Sequence, residues 1–323
     1  MIEFSTANIR TWSMAGASGT LGIAAHELAE RDPDFAIVTS DLCYFSGLDH
    51  VAKDFPEQIY NVGIAEQNMI GVAAGMAKEG MHVWAATYAS FASARVLDQV
   101  KVNMGYMKLP IRLVGLTSGF SVGILGATHM AIEDIAVMRA IPNITILSPA
   151  DCHETMKLIL AAAELDKPVY LRLSGTMRTP IVYRENYELQ IGKANRIMNY
   201  PDSIVSVFAT GSMVSVACKA AQALYGKGIR CDVFDMHTIK PLDTAAIRDS
   251  MKKKLIVTIE EHSVTGGLGS SVAEVLSRES AAPRQLMFGI NDYYPHAASY
   301  HALLEECGLT ADKIADKIET YLK

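Results

Sequence analysis

Short apolar runs rich in β-branched residues alternate along this chain with longer stretches whose apolar residues recur every three or four positions. The runs lie at residues 36–40, 82–88, 111–116, 144–149 and 169–173, and they read as buried strands. Between them, Glu66–Lys78, Ala89–Asn103, Ile132–Ala140 and Asp151–Glu164 carry the helical period. Strands that are apolar throughout and separated by helices cannot pair as hairpins. They predict an α/β fold, a mainly parallel sheet with helices on both faces.

The alternation pauses over residues 175–192, where Gly175, Pro180 and Gly192 interrupt a polar stretch. It resumes with strands at 204–210, 229–236 and 255–261, a helix over Met213–Tyr225 and another after Gly269. The chain is therefore expected to form two α/β domains, which suits 323 residues at roughly 150 residues per domain. The boundaries fall at 1–178, 179–192 for a linker, and 193–323. No fixed-period repeat marks a solenoid.

Half of the residues are hydrophobic, which supplies a core and excludes general disorder. A net charge of −6, with no basic run longer than Lys252–Lys254, speaks against a nucleic-acid surface. Cys43, Cys152, Cys218, Cys231 and Cys307 are scattered with no Cys-x-x-Cys pair, so neither a disulfide framework nor a zinc ribbon is expected. With no secretory leader and no apolar segment of membrane-spanning length, the expected location is the cytoplasm, without membrane contact.

Four segments could carry chemistry. In Asn61–Asn68, NVGIAEQN, a small-residue loop runs into a helix and sets Glu66 where open sheets bind ligands; a helix N-terminal acid serving only the free amides would look the same. In YASF, Tyr88 and Phe91 are three apart and could stack a planar heterocycle or fill the core. Gly119–His129 holds three glycines within eight residues and ends in a histidine suited to catalysis or substrate binding. His129 and Glu133 alone make a poor metal site. Glu260–Gly269, EEHSVTGGLG, looks like a phosphate-cradling loop but lacks both GxGxxG spacing and a Walker lysine.

Taken in order, these segments resemble the carboxyl-terminal half of the transketolase and deoxyxylulose-phosphate synthase family. The similarity runs from about Gly19 to the end: SDL at 40–42, NVGIAEQN at 61–68, YASF at 88–91, GATHMAIED at 126–134, NITILSPAD at 143–151, PLD at 241–243 and EEHSVTGGLGS at 260–270. The resemblance implies a pyrimidine-binding domain followed by a transketolase C-terminal domain, and thiamine diphosphate with Mg²⁺ as cofactors. The family's Gly-Asp-Gly signature for metal and diphosphate is absent from this chain. The chain thus resembles one subunit of a split transketolase. An N-terminal partner subunit with the diphosphate-binding domain would then hold the metal, in an α2β2 assembly.

By the same resemblance, Glu66 matches the glutamate that bonds the aminopyrimidine and favours its proton-abstracting tautomer. Phe91 matches the stacking aromatic, Tyr88 a second pocket aromatic, and Asp41 with Leu42 the pair beside the thiazolium. His129 matches the catalytic and substrate-binding histidine that contacts the donor's oxygen. The reaction implied moves a two-carbon ketol unit from a ketose donor to an aldehyde. Leu125 replaces the acid of sugar-processing members, and the family's phosphate-binding arginine and histidine fall on Gly175 and Thr117. Arg172, Arg178 or Arg10 remain as anion binders, while Ala94 takes another pocket position with Arg95 displaced by one. Two alternatives stand beside this reading: the β subunit of the first component of a 2-oxo-acid dehydrogenase, and a catalytically silent subunit.

Overall fold

The computed structural model describes residues 2–323. Twelve strands occur among them: β1 (Phe35–Thr39), β2 (Ile59–Asn61), β3 (His82–Tyr88), β4 (Arg112–Ser118), β5 (Thr145–Leu147), β6 (Val169–Ser174), β7 (Asn195–Met198), β8 (Val205–Ala209), β9 (Cys231–Asp235), β10 (Thr238–Lys240), β11 (Leu255–Ser263) and β12 (Arg284–Ile290). They form two sheets, ordered β10-β5-β6-β4-β3-β1-β2 and β12-β11-β8-β9-β7. Within each sheet the pairing is parallel except at one edge, where β10 runs antiparallel to β5 and β7 antiparallel to β9. The α/β architecture read from the hydrophobic period is the observed one.

The inner strands are buried on both faces, as helix-covered parallel sheets require: β1, β6, β8 and β9 are buried from end to end. Helices Glu66–Lys78 and Cys152–Ala163 match the periodic segments closely. The expected Ala89–Asn103 helix does not run through. It breaks at Ser93, whose φ/ψ of −109°/−88° is non-helical, and it ends in a π-helical turn over Lys101–Tyr106. A further helix, Thr6–Arg31, has little amphipathic period and kinks at Gly16, where φ is +76° and an added Cβ would lie 2.8 Å from the Thr176 carbonyl oxygen.

No regular element interrupts residues 175–194, yet the two sheets are not independent. β10 crosses over from the second half to extend the first sheet, and one apolar cluster includes Ile70, Met138 and Ile146 together with Phe208, Met236 and Leu268. A buried polar tie reinforces this. Arg172 on β6 donates to Asp134 at 2.8 Å and to the Glu261 carbonyl on β11 at 2.9 Å, and Tyr170 donates to Asp134 at 2.8 Å.

Buried titratable groups give stability a pH dependence. Burial pushes Asp235 and Glu260 each up to about 7, and pushes His237 and His262 down to about 4. The raised carboxyls cost stability as pH rises from the unfolded carboxylate range through 7. The histidines oppose this only up to their unfolded value of about 6.5, above which they are neutral in both states. From about pH 6.5 to 8 the carboxyls act alone, and the melting temperature is expected to fall. Asp235→Asn, which still accepts the Tyr183 hydroxyl bond, should flatten that fall in calorimetric scans. A melting temperature that climbs over this window would contradict the assignment.

Candidate active site

The order of the first sheet reverses around β1, which has β2 on one side and β3 on the other. Ligands of open α/β sheets bind at such a switch point, beyond the carboxyl ends of the strands. Four of the sequence-selected residues meet there. Glu66 opens its helix after β2 and is 5% exposed. Tyr88 ends β3, and Phe91 follows in the short helix Ala89–Ala92. Their ring centroids lie 6.0 Å apart at 24°, and the His129 ring meets both edge-on, at 5.4 Å from Phe91 and 6.5 Å from Tyr88.

The break at Ser93 turns Arg95 back over this group. Its guanidinium carbon sits 3.9 Å above the Phe91 ring centre while Nη1 donates to Glu66 Oε1 at 2.7 Å. A planar cationic group thus stacks on the aromatic and satisfies the buried carboxylate together. The backbone carbonyl of Arg95 accepts from Gln67 Nε2 at 3.1 Å. Ile64, Gln67, Asn68 and Arg95 surround Glu66 in a concavity of about 520 Å³. Burial raises the Tyr88 phenol above its usual value, which keeps it neutral.

Asp41 and Leu42, after β1, find other partners. Asp41 has φ +60° and exchanges hydrogen bonds with the Asn61 side chain, its N–H donating at 3.0 Å and Asn61 Nδ2 donating to Oδ1 at 3.1 Å. Asn61 Oδ1 also accepts from Gly63 N at 3.0 Å, which shapes the loop leading to Glu66. Leu42 is half-buried, and its carbonyl accepts from Ser46 N. Leu125 is exposed on the loop that carries His129, whose Nδ1 lies 3.0 Å from Thr128 Oγ1. Gly119, at the base of that loop, has φ +64°, and a Cβ there would collide with the Glu261 carboxylate.

Two sequence candidates are spent elsewhere. Arg172, 1% exposed, is committed to Asp134 and is not available to an anion at the surface. The glycine-rich turn at 266–269 does cradle an anion, but the anion is the chain's own: Gly269 N donates at 2.7 Å and Leu268 N donates to the other oxygen of the Glu260 carboxylate. Among the described residues no group of three or more His, Cys, Asp or Glu is placed to hold a metal. In the sequence, Arg95 lies one position off the pocket position at Ala94, and Asn61 carries no signal of its own beyond its motif. The aromatic-to-arginine spacing holds no hint of the break that brings Arg95 inward; Asn61 heads the NVGIAEQN motif and could have been found from it.

Residues 15–177 match the model of the transketolase pyrimidine-binding domain, and residues 192–314 match that of the transketolase C-terminal domain. The chain belongs to the transketolase family. This transketolase-family chain is 37% identical over 299 residues to one of the subunits of an apulose-4-phosphate transketolase from Phocaeicola vulgatus, covering 92% of this chain and 94% of that one. It is 38% identical over 291 residues to a 6-deoxy-6-sulfo-D-fructose transketolase subunit from a Clostridium species, covering 89% and 88%. Among solved structures, it superposes with a TM-score of 0.83 and 36% identity on a split-gene transketolase described as an inactive β4 tetramer, covering 94% of this chain and 97% of that one. The family and these relatives indicate a transferase-type enzyme.

Proposed function

We propose that this chain is the C-terminal subunit of a split thiamine-diphosphate-dependent transketolase that moves a two-carbon ketol unit from a ketose donor to an aldehyde. The observation that carries the reading is the buried Glu66 carboxylate at the edge of the Tyr88–Phe91–His129 cluster. Arg95 supports the fit to an aminopyrimidine, since it places a flat N–H donor against Phe91 and Glu66. When bound, thiamine diphosphate supplies the carbon nucleophile for cleaving and remaking the carbon–carbon bond. In this reading Glu66 shares a proton with the ring nitrogen, Phe91 stacks on the ring, and Tyr88 closes the pocket beside it. Asp41 and Leu42 line the neighbouring thiazolium side. His129 hydrogen-bonds the donor oxygen as negative charge develops on it, with Leu125 on the same substrate-facing loop.

The diphosphate and Mg²⁺ are assigned to an N-terminal partner subunit, since this chain carries no Gly-Asp-Gly. Exposed Tyr44, Phe45, Ile64 and Ile124 sit on the loops around the site, where a partner would cover them in an α2β2 assembly. Residues 1–178 would form the pyrimidine-binding unit, 179–192 the connection and 193–323 the C-terminal unit. The relatives' names point to anionic sugars as the substrate class, with the exposed Arg10 as an anion contact in place of Arg172.

The test is a calorimetric titration of thiamine diphosphate with Mg²⁺ into the chain alone and into its mixture with the partner. Binding only in the mixture is expected; tight binding by this chain alone would overturn the shared site. Phe91→Ala should weaken binding in the mixture by up to about tenfold through loss of ring stacking. Unchanged affinity in that variant would remove the stacking role.

A further inference from the structure

A second cavity, of about 490 Å³, lies between the two halves of the chain, away from Glu66. Its walls are the Gly175–Pro180 turn, the helix Met213–Gly226 and the helix Tyr300–Glu306. In a protein with 35 acidic and 29 basic residues, the lining holds Arg178, Lys219 and His301 and no carboxylate. Arg178 and Lys219 have no ion pair among the described residues, so both cations are free to meet an incoming group. Val216, Leu304 and Leu309 give the interior an apolar wall. The size and the mix of polar and apolar lining suit a small organic ligand, and the charge selects an anion.

The turn that presents Arg178 is held in place before any ligand arrives. Arg178 has φ +61°, a conformation that costs a non-glycine residue free energy and persists only where its surroundings over-determine it. Here Thr179 N donates to the Ser13 carbonyl at 3.1 Å, Ser13 Oγ donates to the Thr179 carbonyl at 2.6 Å, and Thr179 Oγ1 donates to the Thr176 carbonyl at 2.6 Å. Lys219 lines the same cavity from the second turn of the helix Met213–Gly226 and is exposed.

We propose that this cavity binds an organic monophosphate, with the phosphate at the mouth on Arg178, Lys219 and His301 and the organic body against Val216, Leu304 and Leu309. Two connections join it to the loop that carries His129. Gly175 N donates to Ser121 Oγ at 3.0 Å. Behind the wall, Glu261 accepts from the cavity-lining hydroxyls of Ser212 and Tyr300 and from the backbone N–H of Phe120. A ligand that fixes the turn and these hydroxyls therefore restrains residues 119–129. Binding itself does not depend on the reading of the Glu66 site; only its consequence for activity does.

The probe is D-glucitol 6-phosphate, which has no carbonyl and so cannot act as donor or acceptor, with inorganic phosphate titrated in parallel. Calorimetry on the intact chain, alone and with its partner subunit, should show saturable one-site binding at millimolar concentrations, weaker for inorganic phosphate. The Arg178→Gln/Lys219→Gln double variant should lose about tenfold or more in affinity. Ser215→Trp, which fills the cavity without altering charge, should abolish binding, while His129→Ala should leave it unchanged. Hydrogen exchange of residues 119–129 should slow with the probe bound. The site is overturned by absence of saturable binding, or by a loss in His129→Ala equal to that in the double variant. Unchanged exchange in the loop despite binding would overturn the coupling.

Discussion

Glu66→Gln in the reconstituted complex is expected to lower kcat by about 10²–10⁴-fold, the usual range for removing a positioned proton-transfer group. The amide keeps the volume and can still accept from Arg95, so the fold should be intact. The Glu66–Arg95 pair contributes little to stability, because Arg95 is 44% exposed and screened by solvent. A large rate loss without a change in melting temperature would therefore locate the effect in proton handling. Steady-state kinetics with the partner present decides it, and full activity in the variant would move the chain to the silent-subunit reading.

Arg172→Met is expected to cost about 3–5 kcal/mol in urea unfolding, because it strands a buried charge. Asp134 is wholly buried and would keep only the Tyr170 hydroxyl among its present side-chain donors. A loss of that size is a large part of the total stability of an ordinary domain, so reduced accumulation of the variant should accompany it. Adding Asp134→Asn should recover part of the loss, since the orphaned charge is then gone. A change below about 1 kcal/mol in the single variant would show that water or another group compensates Asp134.

Particular residues show what was legible before any coordinates. Glu66–Lys78 and Asp151–Glu164 are helical because their apolar residues recur at helical spacing, and the structure places helices at Glu66–Lys78 and Cys152–Ala163. The meeting of Glu66, Tyr88, Phe91 and His129 could be anticipated only through family resemblance, since these residues stand at or beyond the ends of three separate strands. Arg95 escaped because its direction depends on the backbone of Ser93, and β10 escaped because three residues carry no periodic signal. Arg172 stands among the sequence candidates for anion binding for the same kind of reason: a strand arginine looks alike in sequence whether it ends in solvent or against a buried aspartate.

The α/β class and most of the strands and helices follow from local sequence, because hydrophobic period is a local property tied directly to the geometry of each element. Long-range packing sets the rest: the second half lends β10 to the first sheet, Glu260 fills its own glycine-rich cradle, and Arg172 is buried while Arg178 stays free. Those outcomes depend on which residues, far apart in the chain, share a low-dielectric interior. Desolvation and charge pairing act through space, and no spacing along the chain encodes them.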